Sequence, residues 1–276
     1  MRAAKRSTIG YVDFSGGDLN FVVRGTTPGD CEVSPGCAHC YALALERRFG
    51  VGPPTTTVDE ERLGRLVSAR FEPGAAPFRR GPDSRPLAFV CDTGDLFHES
   101  VPRAVLERFL GVVQYRSEVD WLVLTKRAAA MRAFMLWYYG TREPNDYRPL
   151  PNLWLGVSVE NQAAAEQRIP LLLETPAARR WLSVEPMLGA INLQPHLLGV
   201  DLVICGAESG AKRRFFSPLW AEDLWVQCRE AGVPFFGKQD SGSGPGRPLH
   251  LRRDASAGVA GGETFLVHEF PGGADA

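Results

Sequence analysis

The chain has 276 residues, of which 44% are hydrophobic and 23% are charged, and its formal net charge at pH 7 is −1. This balance excludes a wholly disordered protein, and the nearly neutral charge excludes a basic surface over the whole molecule that would attract nucleic acid. No apolar run approaches the ~18 residues that cross a bilayer, and none follows the charged N-terminus. We therefore expect a cytoplasmic protein without a membrane partner.

The first predicted strand, 20–25, leads into a loop in which three of the six cysteines lie close together, "CEVSPGCAHC". A helix is predicted at 41–50 and ends at Gly50. The segment 50–86 is interpreted as an insertion. It contains a predicted helix at 58–71, followed by a stretch rich in proline, glycine and arginine.

After the insertion, short apolar runs alternate with segments of helical periodicity. The apolar runs are 85–95, 120–127, 152–162, 179–187, 200–210 and 232–239. Helices are predicted at 101–116, 161–174 and 217–232, with a break or kink at Pro170. Continuous apolar runs are typical of strands covered on both faces, and their alternation with helices predicts parallel βαβ units.

We therefore predict an α/β protein, a full or partial (β/α) barrel of the TIM type with about six or seven βα units. An open doubly wound sheet is the alternative. The barrel is expected to occupy residues 1–239, including the insertion at 50–86. The glycine-rich segment 240–276, with one strand in "ETFLVHEF", is interpreted as a C-terminal appendage.

The three clustered cysteines, Cys31, Cys37 and Cys40, are the strongest chemical signal in the sequence. In a cytoplasmic protein such a cluster indicates metal or redox chemistry rather than disulfides. A [4Fe-4S] cluster held by three cysteines keeps one iron free to bind and activate a small molecule. The competing interpretation is a structural zinc site completed by His39 or His98, although the second cysteine pair that zinc sites usually have is missing.

The loop follows a predicted strand and precedes a predicted helix, so we expect it at the carboxyl end of the barrel, where such folds carry their active sites. With this placement, the cysteine triplet and the aromatic residue after it resemble the radical S-adenosylmethionine superfamily. In that superfamily the open iron binds the amino and carboxylate groups of S-adenosylmethionine. Reduction then cleaves the cofactor to a 5'-deoxyadenosyl radical that abstracts hydrogen from a substrate. The usual spacing is C-x3-C-x2-C, whereas this chain has C-x5-C-x2-C.

A narrower resemblance covers residues 31 to 239. The succession "VSPGCAHCYA", "DLFHESVP", "LVLTKR", "LGVSVENQ", "LSVEPMLG", "CGAESG" and "AGVPFFGKQ" is similar to a phage and bacterial three-cysteine-motif family, the Gp37/Gp68-like proteins. Some members of that family belong to pathways that modify phage DNA bases. The resemblance therefore implies a small anionic or nucleotide-like substrate, and a low-potential electron donor such as flavodoxin or ferredoxin.

The superfamily resemblance also implies which residues bind the cofactor. These lie beside the last cysteine and at the strand ends: His39, Tyr41, Asp92, Thr93, Asp95, Ser158, Glu160, Asn161 and Glu185. His39 and Tyr41 are expected near the adenine, and Asp95 can accept hydrogen bonds from the methionine ammonium group. Ordinary loop caps and strand-end salt bridges are the alternative explanation for the acidic residues.

Cys91, Lys126 and Glu208 are the candidate catalytic residues, because each follows a predicted strand. Cys91 is also compatible with simple core packing, and Lys126 with a solvated helix start. Two other functions compete with the radical enzyme. A zinc-stapled α/β domain that binds nucleic acid is the alternative, although the net charge does not indicate nucleic acid. A barrel hydrolase that uses a divalent metal is the third option.

Overall fold

The centre of the molecule is a parallel sheet that curls into half a barrel. The computed structural model describes residues 3–7, 9, 11–27, 29–40, 42, 52–71, 85–141, 148–242, 247–252 and 264–271. The strands are β1 Val22–Val23, β2 Thr57–Val58, β3 Leu87–Val90, β4 Asp120–Thr125, β5 Leu153–Ser158, β6 Arg179–Val184, β7 Leu202–Gly206, β8 Phe235–Gln239, β9 His250–Arg252 and β10 Thr264–Leu266. Strands β3 to β8 form one six-stranded sheet in chain order, and every neighbouring pair is parallel. The predicted α/β class and partial barrel are confirmed.

Helices connect most of the sheet strands. They are α1 Glu60–Arg65, α2 Arg103–Tyr115, α3 Ala128–Gly140, α4 Gln162–Leu173 and α5 Pro218–Ala231. The predicted helices at 101–116, 161–174 and 217–232 are confirmed as α2, α4 and α5. The predicted break at Pro170 is wrong, because α4 continues through this residue. Helix α3 is present in the structure but was not predicted from the sequence. No helix in the described ranges combines the length and apolar character that crossing a membrane requires.

The first predicted strand does not belong to the barrel sheet. β1 pairs antiparallel with β2 in a separate two-stranded sheet, so the number of parallel strands is six. An apolar run such as "NFVVRG" indicates a strand but carries no information about which distant segment it pairs with. The helix predicted at 58–71 is shorter in the structure and forms α1. The helix predicted at 41–50 lies outside the described residues except for Ala42.

Both faces of the half-barrel are buried, which explains why its strands are continuously apolar. One face, with Val123 and Val157 among others, packs in the larger hydrophobic cluster together with the helices. The opposite face carries a second cluster rich in aromatic rings, in which Trp181 is fully buried. Successive side chains of a strand point to opposite faces, so each strand supplies both clusters.

Segments from outside the barrel cover its two edge strands. On the β3 side, the Phe14 amide donates to the Leu87 carbonyl at 3.1 Å, and the Phe89 amide donates back to Phe14 at 2.9 Å. On the β8 side, the Gly237 amide donates to the Val267 carbonyl at 2.8 Å. The described part of the C-terminal segment therefore packs directly on the barrel, and its Leu249, Leu251 and Val267 are buried.

Candidate active site

The cysteine loop, residues 31–40, lies where the carboxyl ends of the parallel strands meet. Its Ser34 hydroxyl donates to the carboxylate of Glu160, which follows β5. Its His39 Nδ1 lies 3.3 Å from Glu208 Oε2, at the end of β7. The structure therefore brings the loop to the edge of the sheet at which parallel α/β folds carry their sites, as the sequence predicts.

Glu160 is the centre of a buried charge network that joins the loop to the sheet. Its side chain is 1% exposed. One carboxylate oxygen accepts from Lys126 Nζ and from the Ser34 hydroxyl, and the other accepts from Arg168 Nη1 at 2.7 Å. Lys126 Nζ also donates to Ser34 Oγ at 3.1 Å. Three segments distant in sequence, the cysteine loop, the end of β4 and α4, are held by this single carboxylate.

The electrostatic balance around Glu160 favours its ionised form. Burial alone raises the pKa of this carboxyl, but the positive charges of Lys126 and Arg168 outweigh burial, and its pKa lies below the ordinary value. A buried carboxylate of this kind is tolerated only because opposite charges and hydrogen bonds compensate its lost hydration. Lys126, a candidate catalytic residue, is therefore engaged with Glu160 rather than solvated at a helix start.

The cysteine loop approaches Glu160 so closely that a glycine is needed at position 36. A Cβ built on Gly36 would lie 2.5 Å from Glu160 Oε1 and 2.7 Å from Lys126 Nζ. Because Glu160 is held on both sides, we expect Gly36→Ala to displace the loop and to lower the free energy of unfolding by about 1–3 kcal/mol. Urea unfolding measures this loss. Gly189→Ala is the matched control, since an added Cβ there meets no described residue within 4 Å, and equal stabilities would contradict the close approach.

Asp95 anchors the loop after β3 to the end of β4. Its Oδ1 accepts from the Thr125 hydroxyl at 2.7 Å and from the Phe97 amide at 2.9 Å, and its Oδ2 accepts from Arg127 Nη1 at 3.2 Å. Arg127 Nε in turn donates to Glu99 Oε2 at 3.1 Å. Both oxygens of Asp95 are thus already engaged within the protein, although the sequence resemblance implies a cofactor ammonium as its partner.

Each of the three loop cysteines has a polar or charged environment. Cys40 Sγ accepts from Arg24 Nη1 at 2.9 Å. Cys37 Sγ lies 3.8 Å from Ser34 Oγ, and burial raises its pKa, but the nearby Lys126 helps to bring the pKa below the ordinary value. For Cys31, burial raises the pKa and Arg24 offsets this only in part. Cations beside thiols stabilise thiolates, which are the form that binds metals.

The fit of these cysteines to a metal group depends on the kind of group. In the described part of the chain, no three His, Cys, Asp or Glu side chains are grouped to hold one metal ion. A single zinc ion requires ligands that converge at about 2.0–2.3 Å. A four-iron cluster takes one thiolate on each of three irons, so its ligands converge on a larger body than a single ion. Three thiols with cationic neighbours are a suitable donor set for the cluster.

His98, one of the two histidines proposed as a further zinc ligand, is already engaged in hydrogen bonds within the protein. His98 is buried, and its Nδ1 accepts from the Ser100 amide at 3.1 Å. Its Nε2 therefore carries the hydrogen and donates to the Asp30 carbonyl at 2.8 Å. Because both ring nitrogens are engaged, His98 would have to break these bonds before it could bind zinc.

Glu208 holds the other side of the cysteine loop through an arginine. Arg214 forms an ion pair with both carboxylate oxygens of Glu208, and its Nη1 donates to the Pro35 carbonyl at 2.8 Å. Burial raises the pKa of Glu208, but its hydrogen bonds to Arg214 outweigh burial and the net pKa is lowered. Glu208 therefore lies beside the loop as an ionised group, with His39 as its second neighbour.

The remaining predicted residues at the ends of β5 and β6 lie at the same edge of the sheet. Glu185 pairs with Lys238 of β8, with Oε1 and Nζ 2.9 Å apart. Asn161 caps α4, because its Oδ1 accepts from the Ala164 amide at 2.9 Å. Ser158 is buried, and its carbonyl accepts from Arg168 Nη1 at 2.7 Å. The Asn161 side chain thus serves as the N-cap of α4.

The residues after β3 differ in their exposure. Cys91 is buried in the larger hydrophobic cluster, and burial raises the pKa of its thiol, so the structure places it in the core. Burial also raises the pKa of Asp92, against hydrogen bonds from Asn20. Thr93 lines a cleft beside β1. Tyr41 lies outside the described residues.

Four residues at this site were not predicted: Arg24, Ser34, Arg168 and Arg214. Two of them leave a partial signal in the sequence. Ser34 stands inside the cysteine loop, and Arg24 is the charged residue of the predicted strand 20–25. Arg168 and Arg214 belong to segments whose charges normally face solvent.

Comparison with known proteins identifies a family but not an activity. No curated protein and no solved structure matches the chain. The model of one family, described as "Protein of unknown function (DUF5131)", matches residues 23–265. This match includes the cysteine loop and all six strands of the half-barrel. The chain therefore belongs to the DUF5131 family of proteins of unknown function.

Proposed function

We propose that this protein is a radical S-adenosylmethionine enzyme in which Cys31, Cys37 and Cys40 hold a [4Fe-4S] cluster. The observation that carries the proposal is the position of the cysteine loop, which lies against the carboxyl ends of β5 and β7. In parallel α/β folds this edge is where chemistry takes place. When bound, such a cluster supplies an electron that cleaves S-adenosylmethionine to a hydrogen-abstracting 5'-deoxyadenosyl radical.

The protein's own contribution is to hold the three thiols in place. Ser34 and Gly36 dock on Glu160 from one side, and Pro35 accepts from Arg214. These contacts come from α4 and from the segments that follow β4, β5 and β7. A loop held by several elements of the fold can present its thiols in a reproducible arrangement, as a cofactor site requires.

The charges at the strand ends support a small anionic or nucleotide-like substrate. Lys126 and Lys238 both lie at this edge, and each is paired with a carboxylate. An ammonium group has three donors, so each lysine keeps at least one for an anionic ligand. A low-potential electron donor such as flavodoxin or ferredoxin is required for the proposed chemistry.

The proposal is tested by reconstituting the full chain with iron and sulfide under anaerobic conditions. We expect about four irons per chain, as a [4Fe-4S] cluster requires. After reduction with dithionite in the presence of S-adenosylmethionine, mass spectrometry should detect 5'-deoxyadenosine. Protein that was not reconstituted is the control and should form none.

Two results would contradict the proposal in different ways. Stoichiometric zinc without iron would support the zinc-stapled alternative, and a salt-dependent DNA-binding assay would then test its nucleic-acid function. A complete iron cluster without any 5'-deoxyadenosine would remove S-adenosylmethionine as the cofactor.

A further inference from the structure

A cleft of about 390 Å³ lies beside β1, next to the cysteine loop. Its volume falls in the range of about 300–1,000 Å³ that is typical of small-molecule sites. Among the described residues, its lining consists of Gly17, Asp18, Asn20, Val22, Val23, Arg24, Arg62, Arg65 and Thr93. Thr93 is the one described residue of this lining that is also predicted to bind the cofactor, so the cleft is largely distinct from the predicted cofactor site.

In the described lining of this cleft, arginines outnumber carboxylates. Arg62 and Arg65 are one turn apart on α1 and therefore face the same side of the helix, and Arg24 directly follows β1. Against these three guanidinium groups, the described lining contains one carboxylate, Asp18. Such an excess of positive charge in a concave site favours an anionic ligand.

The arginines are held in position, which reduces the entropy that a ligand would have to overcome. Arg65 donates twice to Asp18 Oδ1, from Nε at 3.1 Å and from Nη2 at 3.0 Å. Arg62 Nη1 donates to the Asn20 carbonyl at 3.0 Å, and its Nε lies 2.9 Å from Asp59 Oδ2. A guanidinium group has five N–H donors in a planar fork, so an arginine anchored in this way can still donate to phosphate oxygens.

Asn20 is a further polar residue of the same lining. Its Oδ1 is buried and has no hydrogen-bond partner in the part of the chain that the structure describes. A buried acceptor of this kind is costly unless a donor reaches it. The Thr93 hydroxyl offers another polar contact. Because the Asn20 oxygen is shielded from solvent, the contacts that the lining offers to a ligand come from the arginines, and a suitable ligand has an anionic end.

We propose that this cleft binds a phosphorylated small molecule of nucleotide size, with its phosphate held by Arg62 and Arg65. A phosphate monoester matches two forked guanidinium groups better than a single carboxylate does, because its oxygens can engage both. Arg24 connects the cleft to the cysteine loop, since its Nη1 donates to Cys40 Sγ at 2.9 Å. The proposal concerns binding alone and holds whether or not the loop carries a cluster.

Titration calorimetry of the full chain with adenosine 5'-monophosphate tests the proposal, with adenosine as the probe that lacks the phosphate. We expect the monophosphate to bind at least about tenfold more tightly, because charge-assisted hydrogen bonds are lost with adenosine. Binding should weaken as the salt concentration rises. Equal affinities for the two probes, or no binding of the monophosphate, would overturn the proposal.

Three variants locate the binding in the cleft. Arg62→Gln should weaken monophosphate binding by about tenfold or more. Arg108→Gln is the control, because Arg108 pairs with Glu60 at an exposed position outside the described cleft lining. This variant should bind the monophosphate as tightly as the unmodified protein does. Asp18→Asn removes the negative charge but keeps an oxygen that can accept from Arg65, so it should tighten binding. Identical affinities of Arg62→Gln and Arg108→Gln, or weaker binding by a folded Asp18→Asn variant, would contradict the assignment.

Discussion

Replacement of Cys37 by alanine is expected to reduce the iron bound after reconstitution from about four atoms per chain to fewer than about one. Cys37 is the most buried of the three loop cysteines, and it lies closest to the Glu160 network through Ser34. In the proposed cluster site, loss of this thiol removes one of the three ligands. Iron analysis and the visible absorption of the cluster measure the effect.

Cys228→Ala is the matched control for this experiment. Cys228 is also buried, but it lies on α5 within the hydrophobic core. Its loss should reduce packing without changing the bound iron. If the Cys37 variant retained all of its iron, or if the Cys228 variant lost it equally, the three-cysteine assignment would be wrong.

The largest effect on stability is expected for Glu160→Gln. The variant keeps the size of the side chain but leaves the buried Arg168 and the partly buried Lys126 without their common carboxylate. Breaking a buried ion pair by removal of one partner typically costs about 3–5 kcal/mol of unfolding free energy. Urea unfolding at neutral pH measures this loss.

Glu166→Gln is the control on the same helix, because Glu166 is exposed and should change stability by less than about 0.5 kcal/mol. If Glu160→Gln lowered the free energy of unfolding by no more than Glu166→Gln does, the Glu160 network would contribute nothing to holding the loop.

The contribution of Glu160 should also depend on pH. The pKa of this carboxyl is lower in the folded protein than its ordinary value of 4.5, so the folded state favours the ionised form. Its stabilising effect is therefore complete above pH 4.5 and is lost as the pH falls through the folded pKa. The stability difference between the unmodified protein and Glu160→Gln should shrink over that acidic range. A difference that stays constant as the pH falls below 4.5 would contradict this assignment.

The barrel strands were predictable because burial on both faces of the sheet requires continuous apolar runs in the sequence. In β5, for example, all six positions from Leu153 to Ser158 are buried. Helix α3 gave no comparable signal. Its buried positions carry methionine and aromatic residues, whereas Leu136 on its exposed side is 39% exposed. With apolar residues on both sides, the helix lacks the one-sided pattern by which amphipathic helices are recognised.

The position of the candidate site was predictable, but its contacts were not. Carboxylates after parallel strands necessarily gather at one edge, so Glu160 and Glu208 could be placed from the sequence. Their partners depend on distant segments that meet only in the folded chain. Ser34, for instance, lies 126 residues before Glu160. Local periodicity cannot encode such a pairing, and the same reason explains why β1 was expected in the barrel sheet although it pairs with β2.

The segments that cover the edge strands β3 and β8 affect self-association more directly than catalysis. A bare strand edge offers unpaired amide and carbonyl groups on which another chain can add a strand. Val267 and Glu269 occupy these groups on β8, at 2.8 Å from the Gly237 amide and 3.0 Å from the Phe235 carbonyl. A chain shortened after Gln239 would therefore be expected to aggregate through β8, even with every residue of the cysteine loop in place.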